Sequence, residues 1–576
     1  MSFLQLTRKA VPFFTTCCLL VGGLALLRLL SLGTAPLFDT TENRYANIAQ
    51  QMILRQDWIT PYIPAFHQPF LGKPPLSYWL TALSFMVFGC NEFSARFPNF
   101  IEGLLTLWFT FLVARKLFDR RTALLAPLIL FSNLLFFVEC GTVSMDMGVC
   151  LMTTASMWAY LCILKAARER RVWQRALYEI LLGLWFGFGM LNKGPVSLVL
   201  FLGSIFLFGL FKRNLGLLFT PRWLIVLPVA AIVSLPWYLA MQQANPDFFN
   251  YFFVHEHFLR YLKSDYGDRY GAGHHQPYGM AWPFLLLSFL PWGVFLLPVG
   301  AWLKTLWHER GWRVPDSILL LSAWVIFTPI FFTFARSMLM PYLLTSFPPL
   351  AILCARLLSL EIHRLRNQTV PLRFSLLEPA SCISWMAILT LLSGFGLALV
   401  YLKTFRLQMF GFIGYSLALL LSGIALWRTS ARPVASRMGA GILLITLVFG
   451  LATSAWFAFL WQDRADTKSM KTVVALLKDK LPDYNQRETA FWAKTAPFSW
   501  YFYTQADTVN AVIAHQAKAP IIFPEPKEYE TLPRGRRLLV VVTRGGLEGF
   551  RRKYPADAHT PLVSWGDYFI FDLPPL

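Results

Sequence analysis

Six consecutive residues after the first apolar stretch bring Asp39, Glu42 and Arg44 together, in the segment LFDTTENRYANIAQQM (37–52). Similar polar islands recur at the ends of later apolar stretches. LGKPPL carries Lys73, VECGTVSMDMG carries Glu139 and Asp146, and LNKGP carries Lys193. FFVHEHFLRYL and GDRYGAGHHQPYG hold His255, Glu256, His257, Arg260, Arg269, His274 and His275, and ARSMLMPY holds Arg336. Carboxylates of this kind serve as general bases or as orienting groups. Arg and Lys at a membrane boundary suit a phosphate whose lipid tail stays in the bilayer. Such a ligand needs an apolar groove for the tail, cations at the interface and an acid or base just above. Plainer roles compete: Asp39 as a helix N-cap with Glu42 three residues on, Asp146 as the N-cap of a later helix, and Lys193 as a snorkelling lysine. Imidazole beside carboxylate would suit zinc or manganese, with His274 and His275 as candidate ligands. Adjacent histidines rarely aim at one ion, however, and no H-E-x-x-H helix is present. The sequence itself demands no cofactor, and phosphate binding is the preferred reading of that histidine pair.

These islands must be held by membrane helices. Of 576 residues, 56% are hydrophobic and 14% charged, and the mean hydropathy is +0.50. Soluble domains carry about 25% charged residues. The net charge of +21 is spread in short clusters between apolar segments, a distribution that excludes a nucleic-acid surface and matches cytoplasmic loops. The 8 cysteines form no C-x-x-C pair and lie almost entirely in apolar segments, which argues against a disulfide framework or a zinc ribbon.

Apolar windows long enough to cross a bilayer fall at 11–32, 92–114, 122–138, 146–164, 177–192, 195–211, 222–241, 281–303, 316–334, 340–358, 383–402, 409–427 and 439–461, about 13 in all. The segment 76–89 is short, and counting it as a crossing would put every later basic cluster on the wrong side. It is expected to be re-entrant or interfacial. The outer face then holds 33–91, 139–145, Lys193-Gly194, 242–280, 335–339, 403–408 and the tail. The expected fold is an all-α polytopic membrane domain (1–462), whose principal outer loops are 33–91 and 242–280, followed by a small extracytoplasmic α/β domain (463–576). In that tail AFWAKTAPFSWYFYT, RRLLVVVT and DYFIFDL read as strands, and KSMKTVVALLKDKL and GGLEGFRRKY as amphipathic helices.

LFDTTENRYANIAQQM with DWITP, then LGKPPLSYWLTALSFMVFGCNEFSARFPN, LNKGPVSLVL, FFVHEHFLRYL with HHQPYGMAWPF, and ARSMLMPYLLTSFPPLAIL resemble, in that order, the GT-C superfamily of polyprenyl-phosphate-sugar-dependent glycosyltransferases. The resemblance runs from about 36 to 353 and is strongest to aminoarabinose lipid A transferases and related protein mannosyltransferases. It implies a GT-C fold in a bacterial inner membrane with the tail in the periplasm. It also implies an inverting transfer of a sugar from undecaprenyl phosphate to an outer acceptor, foremost lipid A. Asp39, with Glu42, maps onto the acidic residue of the first outer loop, and Asp146 onto that of the second. Arg44, Lys73, Arg260 and Arg336 would stabilise the leaving phosphate, and His274 and His275 would position it. Three positions depart from the family. Thr41 stands just before Glu42 where the lipid A branch has the Asp of Asp-Glu-x-Arg-Tyr, the acid here being Asp39 two residues earlier. Gly72 replaces the Glu of Glu-Lys-Pro, so a carboxylate that could join His274 and His275 around a divalent metal is missing. Met338 replaces the Lys of Ser-Lys-Leu. The alternatives are a protein O-mannosyltransferase-like enzyme acting on Ser or Thr and, more distantly, a transporter of lipid-linked sugars. A transporter would place its charges near the midplane and show repeats.

Overall fold

The computed structural model describes residues 13–38, 41–259, 270, 276–289, 292, 314–335, 337–366, 469–484, 488–492, 497–514, 527–529, 537–554 and 560–573. The expected spans 383–402, 409–427 and 439–461 lie outside these residues, as does most of 281–303. Among the described residues, 6 helical stretches are long and apolar enough to cross a membrane: Phe13–Ser31, Glu92–Leu117, Asp146–Arg168, Trp223–Ala244, Asp316–Thr333 and Met340–Leu360. The chain is a multi-pass membrane protein.

In chain order the helices are α1 (Phe13–Ser31), α2 (Thr41–Arg55), α3 (Leu76–Phe88), α4 (Glu92–Leu117), α5 (Arg120–Phe131), α6 (Leu134–Glu139), α7 (Asp146–Arg168), α8 (Val172–Lys193), α9 (Val196–Phe211) and α10 (Trp223–Ala244). A π-helix (Asn250–Leu259), α11 (Ala281–Ser288), α12 (Asp316–Thr333), a 3-10 turn (Met340–Ser346) and α13 (Phe347–Arg366) follow. Asn91 caps α4 with a reciprocal capping box through Ser94, and Arg115 and Lys116 close its last turn against the helix dipole. α8 crosses α10 closely because Gly183 and Gly187 face it. A Cβ at Gly183 would stand 2.7 Å from the Val226 carbonyl oxygen, and one at Gly187 would stand 2.5 Å from the Val233 Cβ. Small residues four apart give two membrane helices this approach.

Two expectations are corrected here. The window 122–138 is not one helix. It breaks at Ser132-Asn133, where the Asn133 side chain accepts the Phe136 N–H and so caps α6 as a new helix. The window 340–358 opens as a 3-10 turn before α13. The segment 76–89 is a helix of 13 residues, too short to span, packed beside α2 and α4.

A two-stranded antiparallel hairpin, β1 (Tyr62–Ile63) and β2 (Gln68–Pro69), lies between α2 and α3. The tail contributes α14 (Lys471–Lys480), β3 (Glu488–Trp492), α15 (Phe498–Ile513), β4 (Lys527–Tyr529), β5 (Leu538–Thr543), α16 (Leu547–Lys553), β6 (Val563–Trp565) and β7 (Tyr568–Leu573). The five strands form a mixed sheet in the order β4-β3-β5-β7-β6, with β3 parallel to β4 and β5 and β7 antiparallel to β5. β5 is buried on both faces. Leu538, Val540 and Val542 pack with Phe550 of α16, while Leu539 and Val541 join the core shared with α2 and α15. Period-2 alternation sends these two sets to opposite sides. The stretch Phe498–Thr504, expected as strand, is the first half of helix α15. Residues Ser499–Gln505 are all buried, and an all-round apolar run carries no period to tell helix from strand.

Candidate functional site

The turn from α1 into α2 is held by side chains rather than by a backbone ladder. Arg96 of α4 donates to the carbonyls of Leu32 (2.8 Å), Ala35 (2.7 Å) and Pro36 (2.9 Å), and binds both carboxylate oxygens of Glu42 at 3.0 and 2.9 Å. Glu42 also accepts the N–H groups of Phe38 (2.9 Å) and Val143 (3.1 Å). Burial alone would raise its pKa. The Arg96 charge and these hydrogen bonds outweigh burial and hold the carboxyl below its usual range. Both oxygens of Glu42 are therefore engaged, and the residue ties the turn between α1 and α2 to residue 143, just ahead of α7.

Asp146 is the first residue of α7. It does not cap the helix as expected, because the cap position is Met145, which makes no side-chain cap bond. Its Oδ1 instead meets the Lys193 Nζ at 2.5 Å, both side chains being about 85% buried by their 14% and 15% exposures. Lys193 lies 4.1 Å from the centre of the Tyr342 ring, so it is paired and stacked rather than snorkelling. The Asn192 amide donates to the Met145 carbonyl at 2.8 Å and fixes the end of α8 against the start of α7. Glu139 lies nearby, accepting from the Ser144 hydroxyl at 2.7 Å. Burial first, then the charge of Asp146, push its pKa up to about 8.

Lys73 is ion-paired with Glu256 of the π-helix. Gly72 lacks a carboxylate, but a Cβ built there would stand 3.9 Å from the Glu256 Cδ. A carboxylate reaches this place from 183 residues further along the chain. Sequence reasoning missed it, because the HEH triplet gave no sign of which neighbour each side chain would take. His255 stacks on Tyr251 with centroids 5.8 Å apart, and His257 places its Nδ1 2.6 Å from the Phe252 carbonyl oxygen, to which it donates. His257 also links the two ion pairs in space. Its Nε2 is 3.2 Å from where Gly194 would carry a Cβ, and burial followed by the Lys73 charge lowers its pKa.

Arg44 is the exception among these cations. Lys73, Lys193 and Arg96 each hold a carboxylate, whereas the Arg44 guanidinium lies 5.2 Å from the Tyr45 ring centre and 6.0 Å from that of Phe70. Its buried Nε makes no hydrogen bond among the described residues, and neither does the hydroxyl of Tyr78, which is fully buried. The Tyr45 and Tyr78 rings meet edge-on at 5.6 Å. Of the residues singled out from the sequence, the fold thus gathers Arg44, Lys73, Asp146 and Lys193, with Glu42 behind them. Asp39, Arg260, His274, His275 and Arg336 lie outside the described residues. Among the described residues, no group of three metal-type side chains converges.

An undecaprenyl phosphate-alpha-4-amino-4-deoxy-L-arabinose arabinosyl transferase of Pseudomonas aeruginosa (strain LESB58) is 32% identical over 443 residues, 75% of each chain. The protein belongs to the family of these arabinosyl transferases. A family member from Pectobacterium atrosepticum is 35% identical over 339 residues, 58% of this chain and 57% of its own length. That match thus spans little more than half of the relative. Residues 72–239 also match the family described as dolichyl-phosphate-mannose-protein mannosyltransferase. Among solved structures, ArnT from Cupriavidus metallidurans bound to undecaprenyl phosphate superposes with a TM-score of 0.72 at 19% identity, over 96% of this chain and 97% of that one. The archaeal oligosaccharyltransferase AglB from Archaeoglobus fulgidus superposes with a TM-score of 0.51 at 12% identity, over 95% and 71%. At these identities the likeness is one of fold, and the GT-C architecture expected of an arabinosyl transferase is present.

Proposed function

We propose that the protein is an inner-membrane glycosyltransferase that moves a sugar, aminoarabinose or a similar amino sugar or hexose, from undecaprenyl phosphate to lipid A on the outer face. The observation that carries this reading is the pair of buried polar groups that find no hydrogen-bond partner among the described residues, the Arg44 Nε and the Tyr78 hydroxyl, near Lys73. Buried donors are nearly always satisfied, so two at one place imply a ligand that accepts hydrogen bonds. A phosphate fits, since it takes an Arg fork and a phenolic donor at once. The matched arabinosyl transferases supply the sugar and acceptor class.

In this reading Arg44, Tyr78 and Lys73 hold the donor phosphate, with Arg260, Arg336, His274 and His275 completing its shell. As the acceptor attacks the anomeric carbon and the bond to phosphate lengthens, negative charge gathers on the leaving oxygen and these cations stabilise it. Asp39 orients or deprotonates the acceptor. Asp146, paired with Lys193, gives the second carboxylate a fixed place. Glu42 serves as an anchor for the loop that carries Asp39. A lipid A phosphate acceptor is already ionised and needs orientation more than a base. A divalent metal would depend on His274 and His275, with Asp268 as the nearest carboxylate in sequence. The topology that accompanies this reading has about 13 crossings, a membrane domain over 1–462 and a periplasmic α/β domain over 463–576.

Mass spectrometry of lipid A from cells with the intact protein, a deletion, and Asp39→Asn tests the proposal. The expected result is a pentose- or hexosamine-sized mass lost in both mutants. Unchanged lipid A in all three would remove that acceptor and turn attention to O-glycosylated envelope proteins.

A further inference from the structure

The tail is fastened to the first outer loop at one point closer to the chemistry than the rest. Helix α2 buries Asn47, Gln50 and Gln51, and helix α15 answers each of them. Asn47 donates to the Phe498 carbonyl at 2.6 Å, Gln50 to the Phe502 carbonyl at 3.1 Å, and Gln51 to the Gln505 side chain at 2.8 Å. At the far end of α15, Asn510 accepts the Cys90 N–H at 2.6 Å. The Tyr503 hydroxyl does something different. It accepts the N–H of Leu37 at 2.9 Å and donates to Glu92 at 3.2 Å, and Glu92 is also paired with Lys471 of α14 at 2.6 Å. Leu37 is fully buried, its carbonyl takes the Asn43 amide at 2.8 Å, and the next residue, Phe38, gives its N–H to Glu42.

Arg96, Asn43 and Glu42 thus fix four carbonyls and an amide of residues 32–38 from within the membrane domain, and the Leu37 amide is fixed from the tail. We infer that Tyr503 is a positioning residue for the transfer reaction, acting through the Leu37 amide on the backbone that leads into the first outer-loop acid. The inference rests on the glycosyltransferase reading for its kinetic consequence, but not for its structural one. Without the hydroxyl, the Leu37 N–H loses its acceptor and, among the described residues, Glu92 keeps Lys471 as its side-chain partner. The cost of such an orphaned donor is enough to open the turn measurably without unfolding α15, whose aromatic ring still fills its place in the core.

The test compares the full-length protein with Tyr503→Phe and Asn510→Ala in detergent, by hydrogen exchange and by kinetics. In Tyr503→Phe, amide exchange in the peptide covering 32–44 should speed up about tenfold while peptides from β3, β5 and β7 stay as they were. kcat should fall about tenfold, with KM for the undecaprenyl-phosphate sugar within twofold, because the cations that bind its phosphate are untouched. Asn510→Ala removes a contact from the same helix and should change neither quantity. Equal effects from both variants would make Tyr503 an ordinary docking contact and overturn the inference, as would unchanged exchange at 32–44 in Tyr503→Phe. If the intact protein transfers no sugar while the exchange difference appears, the reaction assignment fails and the structural role of Tyr503 stands.

Discussion

The Asp146 carboxylate and the Lys193 ammonium meet at 2.5 Å across the start of α7 and the end of α8, with the ring of Tyr342 beneath the lysine. Replacing one partner of a pair this buried strands the other charge, at a cost of about 3–5 kcal/mol. Asp146→Asn is expected to lower transfer about a hundredfold or more. Asp146→Glu should recover only part of that, because the pair is fixed by the Asn192 contact. Steady-state rates in proteoliposomes check this, and a wild-type rate in Asp146→Asn would remove the residue from the site.

Arg44 and Tyr78 offer hydrogen bonds that no described residue takes up. Arg44→Ala is expected to weaken binding of undecaprenyl phosphate about tenfold to a hundredfold, the loss of a charge-assisted hydrogen bond. Tyr78→Phe should weaken it several-fold. Calorimetric titration with a short-chain polyprenyl phosphate reads both, and unaltered affinity in Arg44→Ala would place the phosphate elsewhere.

Glu256 stands where a side chain at residue 72 would reach. Glu256→Gln is expected to take this carboxylate from Lys73 and reduce activity about tenfold or more, the loss of a charged partner at a mostly buried site. The double variant Gly72→Glu with Glu256→Gln should restore much of it, because the new carboxylate starts from the same place. No recovery in the double variant would show that Glu256 acts through its own position in the π-helix.

Glu139 gives a pH test. Its pKa of about 8 in the folded protein exceeds that in the unfolded chain, so between the ordinary carboxylate value and about 8 the folded state keeps a proton that the unfolded chain has lost. Stability should therefore fall as pH rises through that window and level off above it. Glu139→Gln, neutral throughout, should flatten the dependence. Thermal unfolding in detergent from pH 5 to 9 measures both, and identical slopes would show that Glu139 is ionised in the fold.

What the sequence displays is set by what its patterns can encode. α4, α7 and α10 follow directly from apolar windows, and the short α3 from its length and the charge of the loops around it. The polar islands mark residues that the fold brings together, among them Arg44, Lys73, Asp146 and Lys193. Their pairings do not show, since Glu42 finds Arg96 54 residues away, Asp146 finds Lys193 47 away and Lys73 finds Glu256 183 away. Hydropathy has no register for such distances. The break at Asn133 hides inside an apolar window because its cap is a single polar residue. The helix of α15 hides because every residue from Ser499 to Gln505 is buried, which erases the period that would distinguish it from a strand.

The hydroxyl of Tyr503 and the amide of Leu37 are 466 residues apart in the chain. Contacts of such long range form late, after the loops between them have closed. During synthesis α2 emerges with the α15 partners of Asn47, Gln50 and Gln51 still to be made, and it waits for them while nearly the whole bundle is built. A nascent chain can complete its early membrane helices and still lack the contacts that close the turn between α1 and α2.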